Sequence, residues 1–226
     1  MPFDVDRFLK LRESAVFNCE FWRGHYQDLS RNQYAMAWSA GATEWEQLNG
    51  LPVITLHTNR TVRTGLVPAV IDTTGAFSFE WLIRVARVNF AFADWQAGAG
   101  NNGGFLVYQN GNNLVPTFFN AAGATRTAVF TLPGGSQTWF HCVWSCPSMV
   151  GATSTYYING IPYTATHAGA VVPTNIVANR NFDIGAIGGS PNVRSTLGRN
   201  RLYGSALSAE DATCLYGAAR SLIGEV

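Results

Sequence analysis

The sequence has little charge: only 13% of its 226 residues are Asp, Glu, Lys or Arg, against roughly 25% in ordinary soluble domains. Lysine is nearly absent, since Lys10 stands alone beside fourteen arginines, and the net charge is +1. No basic run exists that could follow a phosphate backbone, so we predict no nucleic-acid partner. Either Asn, Thr, Ser and the 23 glycines hydrate this neutral surface, or partners cover part of it in the working state, and the second option favours an assembly.

Long apolar runs are also missing. Residues 1–12 include Asp4, Asp6 and Arg7 and contain no apolar segment of the kind found in signal peptides. No stretch approaches the length needed to cross a bilayer. We therefore expect neither a signal peptide nor membrane insertion.

The cysteines and histidines lack the spacings of metal sites and disulfide frameworks. Cys142 and Cys146 would lie on one strand, too far apart to bridge, so we expect buried, reduced thiols at all four cysteines. The other cysteines and the histidines are Cys19, Cys214, His25, His57, His141 and His167. They form no HExxH or CxxC motif. The sequence predicts no zinc site.

What the chain does contain is the pattern of an all-β protein of one domain. From Phe77 to Val88, large apolar residues alternate with Ser78, Glu80 and other residues, which predicts a strand with a single core face. Similar short runs, separated by turn residues, occupy 15–21, 53–57, 105–109, 126–132 and 138–144.

Two local signals define a turn and a helix. Asn159-Gly160 between two apolar runs predicts a tight hairpin with a type I′ turn. Ser208, with Asp211 three residues later, predicts the capped start of one short C-terminal helix. Residues 1–14 precede the first strand and are expected to form an N-terminal arm or a short helix, with the sandwich over 15–226.

Several segments in order resemble the laminin-G-like branch of the concanavalin A-like lectin and glucanase superfamily. Phe77–Trp81 resembles the family strand FTIEAW, Trp139–Trp144 the WHHVA strand, and Tyr157–Gly160 the YVNG hairpin. The closing segment, Arg201-Leu202-Tyr203 followed by Ala206–Glu210, resembles the family signature RIYNRALSAEE. One departure is that Gly198-Arg199-Asn200 replaces the usual G-x-I-D-x-V.

The resemblance implies an all-β, two-sheet antiparallel jelly-roll sandwich of the concanavalin A-like kind, with a short C-terminal helix. It leaves function open, because this superfamily includes lectins, glycosidases and modules of phage structural proteins.

Catalytic signatures are weak. A glucanase of this fold needs paired carboxylates such as E-x-D-x-x-E, and the nearest approach here is Glu44 with Glu46. No G-x-S-x-G elbow occurs, and the G-x-G-x-x-G at Gly98 precedes a predicted strand, whereas dinucleotide binding requires a helix. We predict that the chain is not an enzyme and needs no cofactor.

A rim loop offers the best ligand candidates. Trp95 could stack on a sugar ring while Asp94, Asn101 and Asn102 take its hydroxyl groups, and Asp94 with the two amides is also an alternative calcium site. A solvated Gly/Asn loop is the structural alternative. The Asp28 loop is a second place where polar groups could converge on a glycan.

These observations favour a non-catalytic structural module of a virion, such as a phage capsid decoration, fibre or baseplate component, that assembles with copies of itself or other virion proteins. The alternatives are a glycan-binding module for host-surface attachment and, last, a glycoside hydrolase. The expected location is the virion, with the cytoplasm as the alternative. The N-terminal segment supplies the candidate assembly residues Phe3, Val5, Phe8, Leu9 and Leu11, which either dock on a neighbour or pack on their own sandwich.

Overall fold

The computed structural model shows a chain built mainly from antiparallel strands. It describes residues 3–21, 27–38, 44–48, 50–56, 62–64, 74–84, 90–94, 105–110, 112–119, 125–132, 139–169, 183–184 and 195–223. Its helices are α1 (Val5–Ser14) and α2 (Ala209–Arg220). Its strands are β1 (Ala15–Glu20), β2 (Met36–Trp38), β3 (Glu44–Leu48), β4 (Leu51–Leu56), β5 (Val62–Thr64), β6 (Phe77–Arg84), β7 (Phe90–Asp94), β8 (Phe105–Asn110), β9 (Asn113–Phe119), β10 (Thr125–Ala128), β11 (Phe130–Thr131), β12 (Trp139–Cys146), β13 (Thr153–Ile158), β14 (Ile161–Ala168), β15 (Asp183–Ile184) and β16 (Ser195–Tyr203). The all-β class and the short C-terminal helix are confirmed.

The strands follow one path of hydrogen-bonded neighbours, in the order β2-β5-β15-β7-β8-β9-β10-β14-β13-β12-β6-β16-β4-β3, with β1 on β16 and β11 on β9. Distant parts of this path pack face to face. The ring of Phe118 on β9 lies 6.0 Å from Phe77 on β6 and 6.2 Å from Trp144 on β12, measured between centroids. The molecule is therefore a β-sandwich, closed around aromatic side chains.

The core between these layers is made from the residues that the alternation selected. Phe79 stacks on Trp81 at 5.3 Å and on Trp144 at 6.0 Å, and Trp144 stacks on Tyr156 at 5.8 Å. All four side chains are fully buried. Aromatic rings of this size contribute a large share of the apolar area that folding removes from water.

Both faces of β6 are buried, whereas the sequence predicts one. Ser78, Glu80 and Leu82 on the second face are as inaccessible as the aromatic face. The segment after β16 crosses this second face: Ser78 Oγ donates to the carbonyl of Ser205, and the N–H of Leu207 donates to Ser78 Oγ, both at 2.9 Å. The alternating pattern therefore predicted the strand, but it did not predict that another segment covers the polar side of β6.

The hairpin between β13 and β14 is confirmed. Ile158 pairs with Ile161 across a two-residue turn in which Asn159 has φ +50° and Gly160 has φ +77°, as a type I′ turn requires. A Cβ atom at Gly160 would lie 3.1 Å from Tyr216 of α2. The turn needs glycine for its backbone conformation and for the helix that rests on it.

The predicted strand over 126–132 is divided into β10 and β11 at Val129, which is exposed. The register with β9 is the same on both sides of the break: Thr127 pairs with Thr117, and Phe130 with Leu114. Pro116 therefore stands beside the break, and a proline has no N–H to donate to the ladder.

Each helix begins at a side-chain cap. Asp4 accepts a hydrogen bond from the N–H of Arg7 at 2.9 Å, and Ser208 and Asp211 form the predicted capping box of α2. Neither described helix is long and apolar enough to cross a membrane.

Candidate functional site

The predicted rim site lies almost entirely outside the described residues. Asp94 ends β7, where its backbone pairs with Leu106 of β8 and Asp183 of β15; Trp95, Asn101 and Asn102 fall outside. The register thus brings a second acidic residue, remote in sequence, beside Asp94. No group of three or more His, Cys, Asp or Glu residues that could hold a metal occurs in the described ranges. Glycan or calcium binding at this rim stays a prediction.

The Asp28 loop has a structural role, which corrects the suggestion that it presents free polar groups. The buried carboxylate of Asp28 accepts the N–H groups of Asn18, Ser30 and Tyr34 at 2.8–2.9 Å, and the hydroxyl of Ser30 at 2.8 Å. Four donors already occupy this carboxylate, since the turn folds around it. The group fixes the loop against β1.

Glu44 and Glu46 lie on β3, opposite Thr55 and Val53 of β4. Their two-residue spacing places them at equivalent register positions on one strand, and no third acidic residue belongs to that strand. The strand assignment is all that the structure adds to this carboxylate pair.

The N-terminal segment forms α1, which packs on its own sandwich. Leu11 is buried and Phe8 is half-buried, whereas Phe3, Val5 and Leu9 are 44%, 54% and 44% exposed. Leu11 and Phe8 therefore lie on the inner side of α1 and Val5 and Leu9 on its outer side, while Phe3 precedes the helix and its ring packs against that of Phe8. The assembly role of all five stays a prediction, and only Phe3, Val5 and Leu9 offer substantial surface.

Helix α1 is held by α2. The guanidinium of Arg7 lies 2.8 Å from Asp211 Oδ1 and 2.9 Å from Glu210 Oε2. The thiol of Cys214 lies 3.4 Å from the carbonyl oxygen of Asp4. The two helices together cover the outer face of the sandwich around β12, β13 and β16, and we call them the helical cap.

Beneath the helical cap lies a buried charge cluster, which consists of Glu20, Glu80, His141, Arg199, Arg201 and Tyr203. Glu80 is its centre. Its carboxylate accepts from Arg199 at 2.5 Å, from Arg201 at 3.1 Å and from the hydroxyl of Tyr203 at 2.8 Å, and His141 Nε2 lies 3.1 Å away. Glu20 binds Arg201 as well. The cluster joins β1, β6, β12 and β16.

A bulge in β16 directs its basic residues toward Glu80. The register of β16 against β6 shifts between Leu197 and Arg199, at Gly198, after which Arg199 and Arg201 alternate onto the face of Glu80. A Cβ atom at Gly198 would lie 3.0 Å from Leu82. This is the segment at which the sequence departs from the family pattern.

The charges of the cluster set its protonation states. Burial alone would raise the pKa of Glu80, but the attraction of Arg199 and Arg201 outweighs it and holds that pKa well below the ordinary value. Burial lowers the pKa of His141, against the opposing effect of Glu80. Glu80 is therefore ionised at neutral pH and His141 is neutral.

A cavity of about 460 Å³ opens between the helical cap and this cluster. We call it the cap cavity. Apolar and polar residues line it: Phe3, Phe8, Arg12, Glu20, Arg199, Gly217, Ala218, Ser221 and Leu222. Its size falls within the range of small-molecule sites, and charged groups form part of its wall. Sequence reasoning missed it, because its walls come from both ends of the chain.

A serine and a histidine meet at the opposite part of the sandwich. Ser154 Oγ lies 2.9 Å from His167 Nε2 and accepts the indole N–H of Trp144 at 2.9 Å, while His167 Nδ1 lies 2.8 Å from the carbonyl of Gly151. Ser154 is 3% exposed, and its hydroxyl oxygen lies in the core of the sandwich. The pair resembles part of a catalytic triad in contacts, but among the described residues the oxygen is buried and hydrogen-bonded to Trp144 and His167, as in a packed core.

No protein-family model and no curated protein sequence matches the chain. Solved structures do match. The binding domain of botulinum neurotoxin serotype G superposes with a TM-score of 0.72 at 14% identity, covering 92% of this chain and 51% of that one.

Two further structures are similar to the same extent. One of them concerns botulinum neurotoxin type C and the dependence of its cell entry on interaction with two ganglioside molecules. It superposes with a TM-score of 0.72 at 14% identity, and the match covers 93% of this chain and 52% of that one. The binding domain of botulinum neurotoxin DC in complex with rat synaptotagmin II superposes with a TM-score of 0.70 at 14% sequence identity. The match covers 92% of this chain and 52% of that one. The chain spans about half the length of these solved chains, and at such identities the likeness is one of fold.

Proposed function

We propose that the chain is a non-catalytic binding and assembly module built on a concanavalin A-like, two-sheet jelly roll. The order of its sequence motifs supports the jelly roll, and the likeness to about half of each of two larger binding domains supports the fold. Likeness of fold carries no function by itself, so the argument rests on the surfaces that this chain presents.

The carboxylates of the charge cluster support a role without catalysis. Hydrolysis of a glycosidic bond needs one carboxylic acid and one carboxylate, both facing the substrate. Glu80 is fully buried and Glu20 is 3% exposed, and arginine neutralises both. Since Glu80 cannot face a sugar, the two do not form the pair of carboxyl groups that hydrolysis needs, and the cluster serves to join strands.

The observation that carries the assembly function is the outer face of α1. Val5 and Leu9 are four residues apart and therefore lie above one another on the helix, and both expose apolar side chains to solvent, among the exposed charged residues Asp6 and Lys10. This face lies on a chain with only 13% charged residues. Exposed apolar side chains on a chain with few charges are typical of protein interfaces, and we assign Val5 and Leu9 to contact with copies of the chain or with virion proteins. The location that follows is the virion, with the cytoplasm as the alternative.

The test is sedimentation of the purified chain at increasing concentration, and binding to the particle from which it comes. Replacing both Val5 and Leu9 by serine should abolish association and leave thermal stability nearly unchanged, because both side chains are exposed. The matched control is Ile161→Ser, since Ile161 is 56% exposed and belongs to β14, not to α1. A wild-type chain that remains monomeric and binds no particle would contradict the proposal, as would association that survives the double substitution.

Glycan binding is a second candidate. It is favoured by the likeness in fold to a structure of botulinum neurotoxin type C, whose cell entry depends on interaction with two ganglioside molecules. In this chain Asp94, Trp95, Asn101 and Asn102 would take a surface glycan, with calcium at Asp94 as the alternative ligand. Attachment to a host surface and assembly into a virion are compatible in one receptor-binding component.

A further inference from the structure

The outer face of α1 carries apolar and charged residues in a self-complementary order. Val5 and Leu9 lie one helical turn apart and are 54% and 44% exposed. Asp6 follows Val5, and Lys10 follows Leu9, so both charges lie on the same flank of this face, and both are exposed. The face therefore repeats one unit, an apolar residue followed by a charged one, and the charges of the two units are opposite.

This order fits a second copy of the chain placed antiparallel. A two-fold axis across the middle of α1 places Val5 of each copy beside the partner's Leu9. Corresponding flanks face each other in such a pair, so Lys10 comes within two residue rises, about 3 Å along the axis, of the partner's Asp6. The long lysine side chain spans this offset. Antiparallel placement also brings the positive end of each helix dipole to the negative end of the other.

A groove beside Leu9 adds room for a side chain of the second copy. Its volume is about 160 Å³, and its lining residues are Leu9, Arg12, Glu13, Leu29, Ser30 and Arg31. Leu9 and the half-buried Leu29 supply apolar surface, while Glu13 and Arg31 form an exposed ion pair at 3.6 Å. The two-fold axis brings the partner's Val5 next to this groove. An apolar centre with a charged rim is the usual composition of a protein interface.

We propose that α1 pairs with α1 of a second copy in an antiparallel, two-fold arrangement. Val5 and Leu9 form the centre of the contact, and Asp6 and Lys10 form its charged flank. The proposal rests on the assembly function and names its partner as a copy of this chain. Its few side chains cover less surface than the roughly 1,200–2,000 Å² of a stable interface, so the pair is reversible and its population rises with concentration.

The test exchanges charges and follows the association of the full chain by sedimentation equilibrium. Asp6→Lys places four lysines along the contact, and Lys10→Asp places four aspartates there. Each variant should associate at least about tenfold more weakly than the wild-type chain, since attractive contacts become repulsive. High salt should reduce the difference, because these charges are exposed to solvent.

An equimolar mixture of the two variants is the decisive sample. Lysine and aspartate then alternate along the contact between unlike chains, so association should recover at least to the wild-type level. Recovery also shows that both variants are folded. Arg220→Glu is the matched control, because Arg220 is exposed and belongs to α2, and this change should leave association unaltered.

Failure of this pairing is distinguishable from failure of the assembly function. Association that the double substitution of Val5 and Leu9 by serine abolishes, but that both charge variants retain or their mixture does not restore, overturns the antiparallel pair alone. A chain that is monomeric by itself and binds a particle through α1 has the same consequence. A chain that associates neither with itself nor with a particle contradicts both proposals.

Discussion

Arg199 on β16 donates a hydrogen bond of 2.5 Å to Oε1 of Glu80 on β6, between two side chains that are no more than 1% exposed. Arg201, two residues further along β16, binds the second oxygen of the same carboxylate. One carboxylate thus fixes the register of the two strands after the bulge at Gly198. Loss of its charge would leave both arginines buried beside a neutral group.

Glu80→Gln should lower the free energy of unfolding by about 3–5 kcal/mol, because breaking a buried ion pair leaves an uncompensated charge. Urea unfolding followed by tryptophan fluorescence measures the change. Glu210→Gln is the matched control, since Glu210 is 78% exposed in its pair with Arg7 and its loss should cost less than about 0.5 kcal/mol. Similar effects of the two substitutions would show that the cluster does not stabilise the fold.

Acidification should destabilise the protein before its carboxylates titrate. Burial lowers the pKa of both His141 and His167 below the ordinary value of 6.5. Glu80, Arg199 and Arg201 face His141, while Arg126 and the carbonyl of Gly151 face His167. Because the unfolded chain takes up protons first as the pH falls through 6.5, stability declines from there until the folded pKa is reached.

The measurement is the urea midpoint between pH 7.5 and pH 5. The midpoint should fall over this interval, and the decrease should be smaller in His141→Gln and in His167→Gln. Below about pH 4.5 a second decline should begin, since the pKa values of Glu20 and Glu80 are lowered by their arginines despite burial. A midpoint that is constant or rises toward pH 5 would contradict the assignment of neutral buried histidines.

All four cysteines should be reduced and unreactive in the native protein. They are free in the structure, and burial raises the pKa of each thiol, that of Cys146 to about 12. Titration with a disulfide reagent at pH 8 should find almost no thiol before denaturation. It should find four afterwards without added reductant; two or none would refute the prediction.

The rim prediction is tested by Asp94→Ala and Trp95→Ala. Each should weaken binding of a glycan or of calcium and leave the melting temperature almost unchanged, as expected of residues at the end of β7 and beyond it. A glycan panel and calcium calorimetry provide the readouts. Wild-type protein that binds neither ligand would remove this site.

The sequence predicted the strands better than it predicted what covers them. Alternation in β6 identified Phe77 and Phe79 as core residues, but a period of two cannot distinguish a solvent-facing side from one covered by another segment. Glu80 was therefore expected on the polar side, and its burial follows from residues more than a hundred positions away. The capping box at Ser208 and the turn at Asn159 were predictable because their chemistry is local.

The candidate sites show the same limit. Long-range contacts bring Asp183 beside Asp94 and place Phe3 and Leu222 in the wall of one cavity. Residue spacing along the sequence cannot predict such contacts. Arg199, by contrast, lies where the sequence departs from the pattern of the laminin-G-like family that it resembles. The departure is visible in the sequence, but its structural role can be inferred only once the position of Glu80 is known.

The pairing of β1 with β16 has a consequence for biosynthesis. A ribosome releases β1 early, but its partner residues 199–203 emerge only after almost all other strands have been made. β6 must also wait for β16, so the nascent chain carries half-paired strands and unmatched glutamates throughout translation. Non-local pairing of this kind folds slowly and exposes strand edges to other chains. Efficient folding of these strands therefore depends on holding the growing chain apart from its neighbours until β16 has left the exit tunnel.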